Sequence, residues 1–409
     1  MDQLPQSWLV TLDRIKYHAQ DALSTVAGCI CQQQSKLKIN GRTFHIVRVL
    51  GEGGFSFVYL AKDEASGREF ALKKIFCPMG MEGVKQAMRE VEAYRRFRHP
   101  NIIRILDTAV VQDGEGKIVY LFLPVYKRGN LQDEINRHMQ AGTHYSERHI
   151  LQLFKGTCEA VRAMHTYRTP VRGSTTLPAA VRQDDERHDA VLLHREDDPE
   201  GGYSYEDVDA AVSVPLVAKQ QAQTDDVVFD GDQELLTGAN GPAAGDIVPY
   251  AHRDLKPGNV MLADDGLTPI LMDFGSCIKA RISIENRSQA LLQQDTAAEH
   301  STMAYRAPEL FDVKTGITLD EKVDIWSLGC VLFALAYLHS PFENTQTTEQ
   351  GGSIALAVQS ARYKHPASQY SDGFKALIDS MLKVDPKDRP DISQVLSETN
   401  RLLQAASAR

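Results

Sequence analysis

A polar string in the second half of the chain combines side chains that phosphoryl transfer requires. It reads His-Arg-Asp-Leu-Lys-Pro-Gly-Asn over residues 252–259, and an Asp-Phe-Gly triplet starts at Asp273. A carboxylate can orient a hydroxyl group and a lysine can contact the transferred phosphoryl group, which are roles open to Asp254 and Lys256. An amide and a second carboxylate can hold magnesium, as Asn259 and Asp273 would. The string therefore predicts in-line transfer of a phosphoryl group to an alcohol.

A glycine cluster nearer the N-terminus could approach a phosphate. The chain reads Leu-Gly-Glu-Gly-Gly-Phe-Ser-Phe-Val from Leu50 to Val58. Glycine allows close approach because it has no Cβ, and the flanking β-rich runs favour a hairpin over the strand-to-helix turn of a dinucleotide fold. Glycines in a strand pair also mark ordinary tight turns, so both interpretations stay open for this cluster alone.

Two charged residues follow the glycine cluster. Lys73 ends the short apolar run Ala-Leu-Lys, and Glu90 lies on the third turn of the helix predicted after it. Taken alone, Lys73 fits a solvated lysine at a strand edge, and Glu90 fits an ordinary helix glutamate. These two residues gain significance only in combination with the other motifs.

The elements that must position these residues form a sheet-rich part and a helical part. The pattern predicts one helix over about residues 83–97 and strands over residues 44–50, 57–61, 70–76 and 118–123. From Gly129 onward the chain is mainly helical. Helical periodicity recurs at residues 322–338, 353–360, 373–384 and 392–403.

An acidic stretch interrupts the helical part. Residues 168–249 contain 17 Asp and Glu against 6 Lys and Arg, and they show little periodicity, so we predict a largely disordered insertion. A tolerated surface loop and a docking or regulatory segment both fit this composition. The rest of the chain is nearly neutral, with 39 basic against 37 acidic residues, which argues against a nucleic-acid-binding protein.

The remaining composition excludes two further classes of protein. No apolar run reaches the about 18 residues that a membrane span requires, and the start of the chain lacks the features of a secretory signal. Six cysteines show no paired spacing for a zinc site or a disulfide framework, which favours a reducing compartment.

Taken together, the motifs resemble the eukaryotic protein kinase superfamily. Three later strings support the resemblance, at residues 302–309, 324–329 and 385–390, and it covers about residues 43–167 and 250–404. It implies an α+β, bilobal protein kinase fold, with a small β-rich N-lobe containing one main helix and a larger, mainly helical C-lobe. The implied division is an amphipathic and lipidation segment at 1–42, N-lobe and hinge at 43–126, the first part of the C-lobe at 127–167, the acidic insertion at 168–249, the rest of the C-lobe with the activation segment at 250–404, and a tail at 405–409.

The resemblance also implies roles for individual residues, with ATP and Mg²⁺ as cofactors. Lys73, paired with Glu90, would hold the α and β phosphates. Asp254 would orient the substrate hydroxyl and Lys256 would steady the γ-phosphate, while Asn259 and Asp273 would bind magnesium. ATP contacts are expected from Leu50, Gly51, Glu52, Gly53, Gly54, Phe55, Ser56, Val58, Ala71, Lys73, Leu123, Pro124 and Tyr126. Ser56 departs from the commonest pattern, which has a third glycine at this position. Glu309 and Arg389 would form a structural ion pair, and Asp324 would brace the catalytic loop.

The substrate class follows from the same comparison. Lys256 in His-Arg-Asp-Leu-Lys-Pro resembles the serine/threonine type, so the expected partners are proteins with Ser or Thr acceptors. A kinase-fold scaffold with little catalysis is the alternative, although the complete set of Lys73, Asp254, Asn259 and Asp273 disfavours it. A small-molecule kinase is disfavoured by the Ala-Pro-Glu string that ends at Glu309.

Within the superfamily, the long activation segment is similar to that of Numb-associated kinases. The chain most resembles a lipid-anchored branch that includes a mammalian Golgi kinase and a fungal vacuolar-membrane kinase. Cys29 and Cys31 follow an amphipathic stretch with apolar residues at Trp8, Leu12 and Ile15, so the pair is a candidate palmitoylation site. Asp2 excludes N-myristoylation, and two ordinary thiols are the competing interpretation.

These features predict a kinase of endomembrane trafficking or morphology. Its expected location is the cytoplasmic face of the Golgi or vacuole, with a soluble pool. Autophosphorylation is expected, with Ser283, Ser288, Thr296 and Ser301 as candidate sites that could pair with Arg253. The extra helix of the activation segment could equally hold that segment in place without phosphorylation.

Overall fold

The computed structural model describes residues 36–53, 56–78, 81–114, 116–169, 245–343 and 353–407. Several expectations lie outside these residues: the amphipathic stretch before residue 36, the cysteines Cys29 and Cys31, the loop residues Gly54 and Phe55, and most of the acidic insertion. Among the described residues, no helix combines the length and the apolar character that a membrane crossing needs.

The N-terminal part is a six-stranded antiparallel sheet with strand order β1-β2-β3-β4-β6-β5. Its strands are β1 (Lys36–Ile39), β2 (Arg42–Glu52), β3 (Ser56–Asp63), β4 (Glu69–Cys77), β5 (Asp107–Asp113) and β6 (Gly116–Leu123). Phe44, Phe70 and Phe122 are fully buried on one side of it, with ring centroids 5.1 to 6.4 Å apart. This aromatic cluster fixes the relative positions of the strands that carry the glycine cluster and Lys73.

Two strands lie where the sequence pattern predicted none. Strand β1 falls inside the segment that was expected to be an N-terminal tail up to residue 42, and it pairs with β2 across Asn40 and Gly41. Both turn residues have positive φ, 46° and 82°, which suits the Asn-Gly turn of a two-residue hairpin. Strand β5 is the edge strand beside β6, and its three apolar residues are consecutive, so its sequence lacks the alternation that predicts a strand.

One long helix, α1 (Met81–Arg96), follows β4 at the predicted place. Val84, Met88, Val91 and Tyr94 are buried, in agreement with three- and four-residue spacing of one face. The helix contacts β4 and β6, so Glu90 is carried against the strand that contains Lys73.

The C-terminal part is mainly helical. Its helices are α2 (Leu131–Ala141), α3 (Glu147–His165), α4 (Arg287–His300), α5 (Lys322–Tyr337), α6 (Ile354–Gln359), α7 (Asp372–Met381) and α8 (Ile392–Ser407). Short antiparallel pairs join β7 (Tyr250–Ala251) to β10 (Ile278–Lys279), β8 (Val260–Leu262) to β9 (Pro269–Leu271), and β11 (Ile282–Ile284) to β12 (Ile317–Leu319).

Two helices form the base on which the site is built. Helix α5 is buried from Val323 to Tyr337, which explains why its sequence is apolar all round. Helix α3 packs on α5, α8 and β9, and Gly156 permits this approach because a Cβ there would lie 2.5 Å from Pro269 Cγ. Strands β8 and β9, which lie between the polar string and the Asp-Phe-Gly triplet, are thereby held against the helical core.

The described ends of the acidic insertion belong to a separate unit. Arg168 pairs antiparallel with Ile247. The Thr169 N–H donates to Asp246 O at 3.0 Å, and the Gly245 N–H donates to Thr169 O at 3.0 Å. The two described ends of the insertion are therefore paired with each other.

Candidate active site

Lys73 connects the sheet to Glu90, its predicted partner, and to Asp273, a predicted magnesium ligand. It lies on β4 opposite Val58, which in turn lies opposite Gly51 of the glycine hairpin. Its Nζ donates to Glu90 Oε1 at 2.7 Å and to Asp273 Oδ1 at 2.9 Å. The structure therefore brings together three residues that are up to 200 positions apart in the chain.

Charge and burial have opposing effects on the pKa values of this cluster. The Lys73 ammonium holds the pKa of Asp273 at about 2, although burial opposes that shift. Burial alone would lower the pKa of Lys73, but the charges of Asp273 and Glu90 outweigh it and raise that pKa. Burial also raises the pKa of Glu90, which Lys73 counteracts. Lys73 therefore lies between the two carboxyl groups, and its charge favours the ionised form of each.

The backbone of the polar string is held by Asp324 on α5. This fully buried carboxylate accepts the N–H of His252 at 2.8 Å and the N–H of Arg253 at 2.9 Å. His165, at the end of α3, places its Nε2 3.0 Å from the same carboxylate. Arg253 has φ of 67°, a left-handed conformation that is unfavourable for a non-glycine residue and has to be imposed by such contacts. The bracing role predicted for Asp324 agrees with this geometry.

Asp254 is the centre of a second cluster. Its Oδ2 accepts from Lys256 Nζ at 2.8 Å and from Asn259 Nδ2 at 3.1 Å. Its Oδ1 accepts from both the N–H and the hydroxyl of Thr302, each at 2.8 Å. Lys256 also donates to the Thr302 hydroxyl at 2.8 Å. A carboxylate in this position can orient an incoming hydroxyl and receive its proton.

Asn259 and Asp273 present oxygen atoms that suit magnesium. Asn259 directs its amide nitrogen to the carbonyl and carboxylate of Asp254, so its amide oxygen is the atom that can bind a cation. The Asp273 carboxylate is about one-third exposed and stays ionised. Magnesium in nucleotide sites is held by one or two such ligands together with phosphate oxygens, so these residues fit the ion.

The predicted nucleotide contacts lie on the β2–β3 hairpin, on β4, and where β6 ends. In the turn, the Gly53 N–H donates to Ser56 O at 2.8 Å, and Leu50 is partly exposed. Ala71 lies opposite Leu123 in the β4–β6 register, and Pro124 and Tyr126 follow where β6 ends. The described members of the predicted ATP set are therefore carried by β2, β3 and the residues between them, by β4, and by the end of β6 and the segment after it.

The segment predicted to be the activation segment contains α4, and Arg253 contacts it through a neutral residue. Arg253 Nη1 donates to Gln293 Oε1 at 2.8 Å, whereas no bond joins Arg253 to any of the four candidate phosphorylation sites within the described residues. Ser283 and Ser288 are exposed. The hydroxyl of Thr296 donates to Leu292 O, and that of Ser301 donates to Ala297 O.

The sequence interpretation assigned no role to Thr302 or Gln293. Each contacts a catalytic-loop residue that is at least 40 positions away, and no local pattern specifies such a contact. The available signal for Thr302 was its place at the start of the string that ends in Ala-Pro-Glu.

The predicted structural ion pair is also present. Arg389 donates to both carboxylate oxygens of Glu309, at 2.7 and 2.8 Å, and its guanidinium lies 5.2 Å from the ring centroid of Trp326. A buried bidentate pair of this kind anchors the end of the activation segment to the helical core.

Comparison with known proteins agrees with this geometry. A family model described as "Protein kinase domain" matches residues 44–170 and 249–399. The chain is 34% identical to serine/threonine-protein kinase ENV7 of Saccharomyces cerevisiae, over 90% of this chain and 95% of the relative. It is 32% identical to human serine/threonine-protein kinase 16, over 91% and 94%, and 33% identical to serine/threonine-protein kinase ppk13 of Schizosaccharomyces pombe, over 88% and 90%. The chain therefore belongs to the protein kinase family, as a serine/threonine kinase that uses ATP and Mg²⁺.

Proposed function

We propose that this kinase uses Asp254 as its catalytic base, Lys73 and Lys256 as its phosphate contacts, and Asn259 and Asp273 as its magnesium ligands. We also propose that it acts at the cytoplasmic face of an endomembrane, in trafficking or organelle morphology. The two statements have separate support and separate tests.

The proposed chemistry uses the contacts of the two clusters. Lys73 holds the α and β phosphates while Glu90 fixes its ammonium in position. Asp254 accepts the hydrogen bond of a serine or threonine hydroxyl and takes its proton as the oxygen attacks the γ-phosphorus. Lys256 balances negative charge on the transferred group. Magnesium, when bound to Asn259 and Asp273, neutralises charge on the phosphate oxygens.

The observation that carries this proposal is the simultaneous contact of Lys73 with Glu90 and Asp273. The two distances are 2.7 and 2.9 Å, so the helix, the strand and the Asp-Phe-Gly segment are aligned as catalysis requires. If α1 lay farther from β4, the hydrogen bond between Lys73 and Glu90 would be absent.

The test is phosphate incorporation by the purified chain, into itself and into a generic protein substrate. We expect Asp254→Asn and Lys73→Met each to lower kcat by about 100-fold or more, because each removes a group that acts in the transition state. Lys62→Met is the matched control, since Lys62 is an exposed lysine on the neighbouring strand β3. Binding of nucleotide without phosphate transfer by the unmodified chain would favour the scaffold alternative.

Membrane association is proposed through palmitoylation of Cys29 and Cys31. Its support is the resemblance to a lipid-anchored branch and the amphipathic sequence that precedes the two cysteines. Two acyl chains anchor stably where one does not, so we expect the Cys29→Ser, Cys31→Ser double variant to move from the membrane fraction to the soluble fraction. The Asp254→Asn variant keeps both thiols and serves as the control. A double variant that still pellets with membranes would refute this proposal.

Autophosphorylation is proposed at the activation segment. Ser283 and Ser288 are the accessible candidates, whereas the hydroxyls of Thr296 and Ser301 are engaged by backbone carbonyls. Phosphopeptide mapping of the wild type beside Asp254→Asn would identify the modified residues. Phosphate that appears equally in both proteins would come from another kinase.

A further inference from the structure

Exposed basic residues lie on β1 and β2, on the side of the sheet that faces away from the buried aromatic cluster. Lys36 lies opposite His45, and cross-strand neighbours share a face of the sheet. Lys38 points to the same side, because side chains two residues apart in a strand do so. Ile39, in contrast, is buried with the aromatic cluster. We call Lys36, Lys38 and Arg48 the basic face, and all three are exposed.

The register of β2 and β3 places Arg48 on this same side. Arg48 pairs with Leu60 of β3, and Lys62, two residues later in β3, lies opposite His45. Leu60 and Lys62 share a face, as do Lys62 and His45. Arg48 is therefore on the side of the sheet that carries the two lysines of β1.

A β-bulge in β2 adds an apolar residue beside Arg48. The pairing with β3 shifts between Ile46 and Arg48, so Val47 is the extra residue. In a regular strand one of two neighbouring side chains would face the core, whereas Val47 and Arg48 are both exposed, Val47 to 46%. Bulges re-aim side chains in this way. Basic and apolar side chains together suit the interface between a membrane and water.

Little acidic charge offsets the basic face. Residues 22–51 contain four Lys and Arg and no Asp or Glu. Of these four, Arg42 is paired with a buried carboxylate, and Lys36 contacts an exposed one. Among the described residues, no ion pair engages Lys38 or Arg48. Two cations are therefore available to a negatively charged partner.

Protection of the sheet edge does not explain the whole basic face. Lysines on an edge strand prevent it from pairing with another chain, and this fits Lys36 and Lys38 because β1 is the edge of the described sheet. Arg48 lies on β2, which β1 and β3 flank. Its exposed position beside a bulge therefore points to a partner.

The basic face begins close to the proposed acylation site. Four residues separate Cys31 from Lys36. An extended chain spans at most about 3.6 Å per residue, so the two Cα atoms lie within about 18 Å of each other. An acyl chain on Cys31 would therefore let β1 reach the layer, about 10 Å deep, in which the charge of anionic lipids attracts basic residues.

We propose that the basic face and Val47 contact anionic lipid headgroups and orient the kinase on its membrane. The short connection to Cys31 brings this side of the sheet to the bilayer, and the charge of the face is complementary to anionic lipids. This inference rests on the proposed function, because it takes Cys29 and Cys31 to be the anchoring residues. The acyl chains hold the protein near the membrane, and the basic face determines which side is turned to it.

The test measures binding of the full chain to vesicles in the absence of acyl chains. All proteins carry Cys29→Ser and Cys31→Ser, so the contact of the basic face is measured without the anchor. The amphipathic stretch before the cysteines is the same in each protein. The vesicles consist of phosphatidylcholine alone or of phosphatidylcholine with phosphatidylserine, at low salt.

Two pairs of substitutions with equal loss of charge are compared. Lys38→Gln with Arg48→Gln should weaken binding to the phosphatidylserine vesicles about 25-fold, roughly fivefold per residue. Lys383→Gln with Lys387→Gln is the matched control, because both lysines are exposed and lie outside the sheet. The control should bind as tightly as the parent protein. High salt should abolish the difference between the two pairs.

The proposal would be overturned if the Lys38 and Arg48 variant bound phosphatidylserine vesicles as tightly as the control, or if the parent bound neutral vesicles equally well. The charge-preserving pair Lys38→Arg with Arg48→Lys should bind as the parent does. The vesicle measurement requires neither palmitate nor catalysis. A selective loss of vesicle binding would support the basic face even if the double cysteine variant still pelleted with cellular membranes, so the two failures are distinguishable.

Discussion

Arg253 contacts a neutral glutamine at a place where a phosphorylated residue could pair with it. Its guanidinium is buried, and burial lowers its pKa to about 10, which still leaves it protonated at neutral pH. Within the described residues its Nε and Nη2 have no hydrogen-bond partner, and Nη1 is met by the amide of Gln293. A neutral amide therefore fills the position at which a phosphorylated residue could pair with this arginine.

Replacing Gln293 should weaken the hold on the activation segment. We expect Gln293→Leu to lower kcat/KM about tenfold, because a hydrogen bond to a charged group is lost and the guanidinium stays buried. Gln289→Leu is the control on the same helix, since Gln289 accepts only the nearby Glu285 N–H. Phosphatase treatment of the wild type should leave its activity unchanged. Strong inactivation by phosphatase, with Gln293→Leu fully active, would show that a phosphate holds the segment.

At the scale of elements, a buried ion pair joins strands β2 and β3 of the sheet. Arg42 on β2 donates to both carboxylate oxygens of Asp63 on β3, at 2.8 and 2.7 Å. The Asp63 side chain is fully buried and also accepts from the Ser66 N–H at 2.8 Å. The Arg42 guanidinium consequently holds the pKa of Asp63 well below its usual range.

Arg42→Met should destabilise the protein by about 3 to 5 kcal/mol at pH 7, since it leaves a buried carboxylate without its cation. The wild-type pair stabilises only while Asp63 is ionised. Its contribution is complete above the unfolded-state pKa of about 4 and declines as the pH falls further. Urea unfolding should therefore show a smaller difference between variant and wild type at pH 3 than at pH 7.

Lys36→Met is the comparison for this prediction. Lys36 pairs with Glu64 at 2.8 Å, but both side chains are about half exposed. Such surface pairs contribute about 1 kcal/mol or less. An Arg42→Met variant as stable as Lys36→Met would contradict the assignment of a buried, stabilising pair.

The elements also show which parts of the fold the pattern could predict. Helix α1 and the strands around Lys73 were predictable because their apolar spacing is regular. Strand β1 was missed although its Asn-Gly turn at residues 40 and 41 is a strong hairpin signal, because the amphipathic stretch before it dominated the interpretation. Local strings identified Asp254 and Asp273. The contacts that Gln293 and Thr302 make depend on segments far apart in the chain, which no local string encodes.

For the molecule as a whole, the described ends of the insertion imply that the kinase fold can form with an insertion of very different length. Thr169 and Gly245 are joined by a backbone hydrogen bond of 3.0 Å, and Arg168 pairs with Ile247. A short connection can therefore close the chain, and the entropy of loop closure changes only by about 0.6 kcal/mol per doubling of length.

Replacement of residues 171–243 by about four Gly and Ser residues should keep the melting temperature within a few degrees and preserve autophosphorylation. Calorimetry and phosphate incorporation test this expectation. A second variant that also removes residues 245–248 loses the pairing of the two ends and should be the less stable of the two. Loss of a protein partner or of activity in the first variant would instead assign the insertion a docking or regulatory role.

The crowding of donors around Asp254 has a consequence for the order of events. A carboxylate offers about four lone-pair positions. The N–H and hydroxyl of Thr302 take two of them, and Lys256 and Asn259 take the other two. An acceptor hydroxyl can bond to Asp254 only after one donor departs. In its proposed role Lys256 moves its hydrogen bond from Asp254 to the γ-phosphate when nucleotide binds. Nucleotide binding would then free the lone pair of Asp254 to which the hydroxyl of the protein substrate bonds.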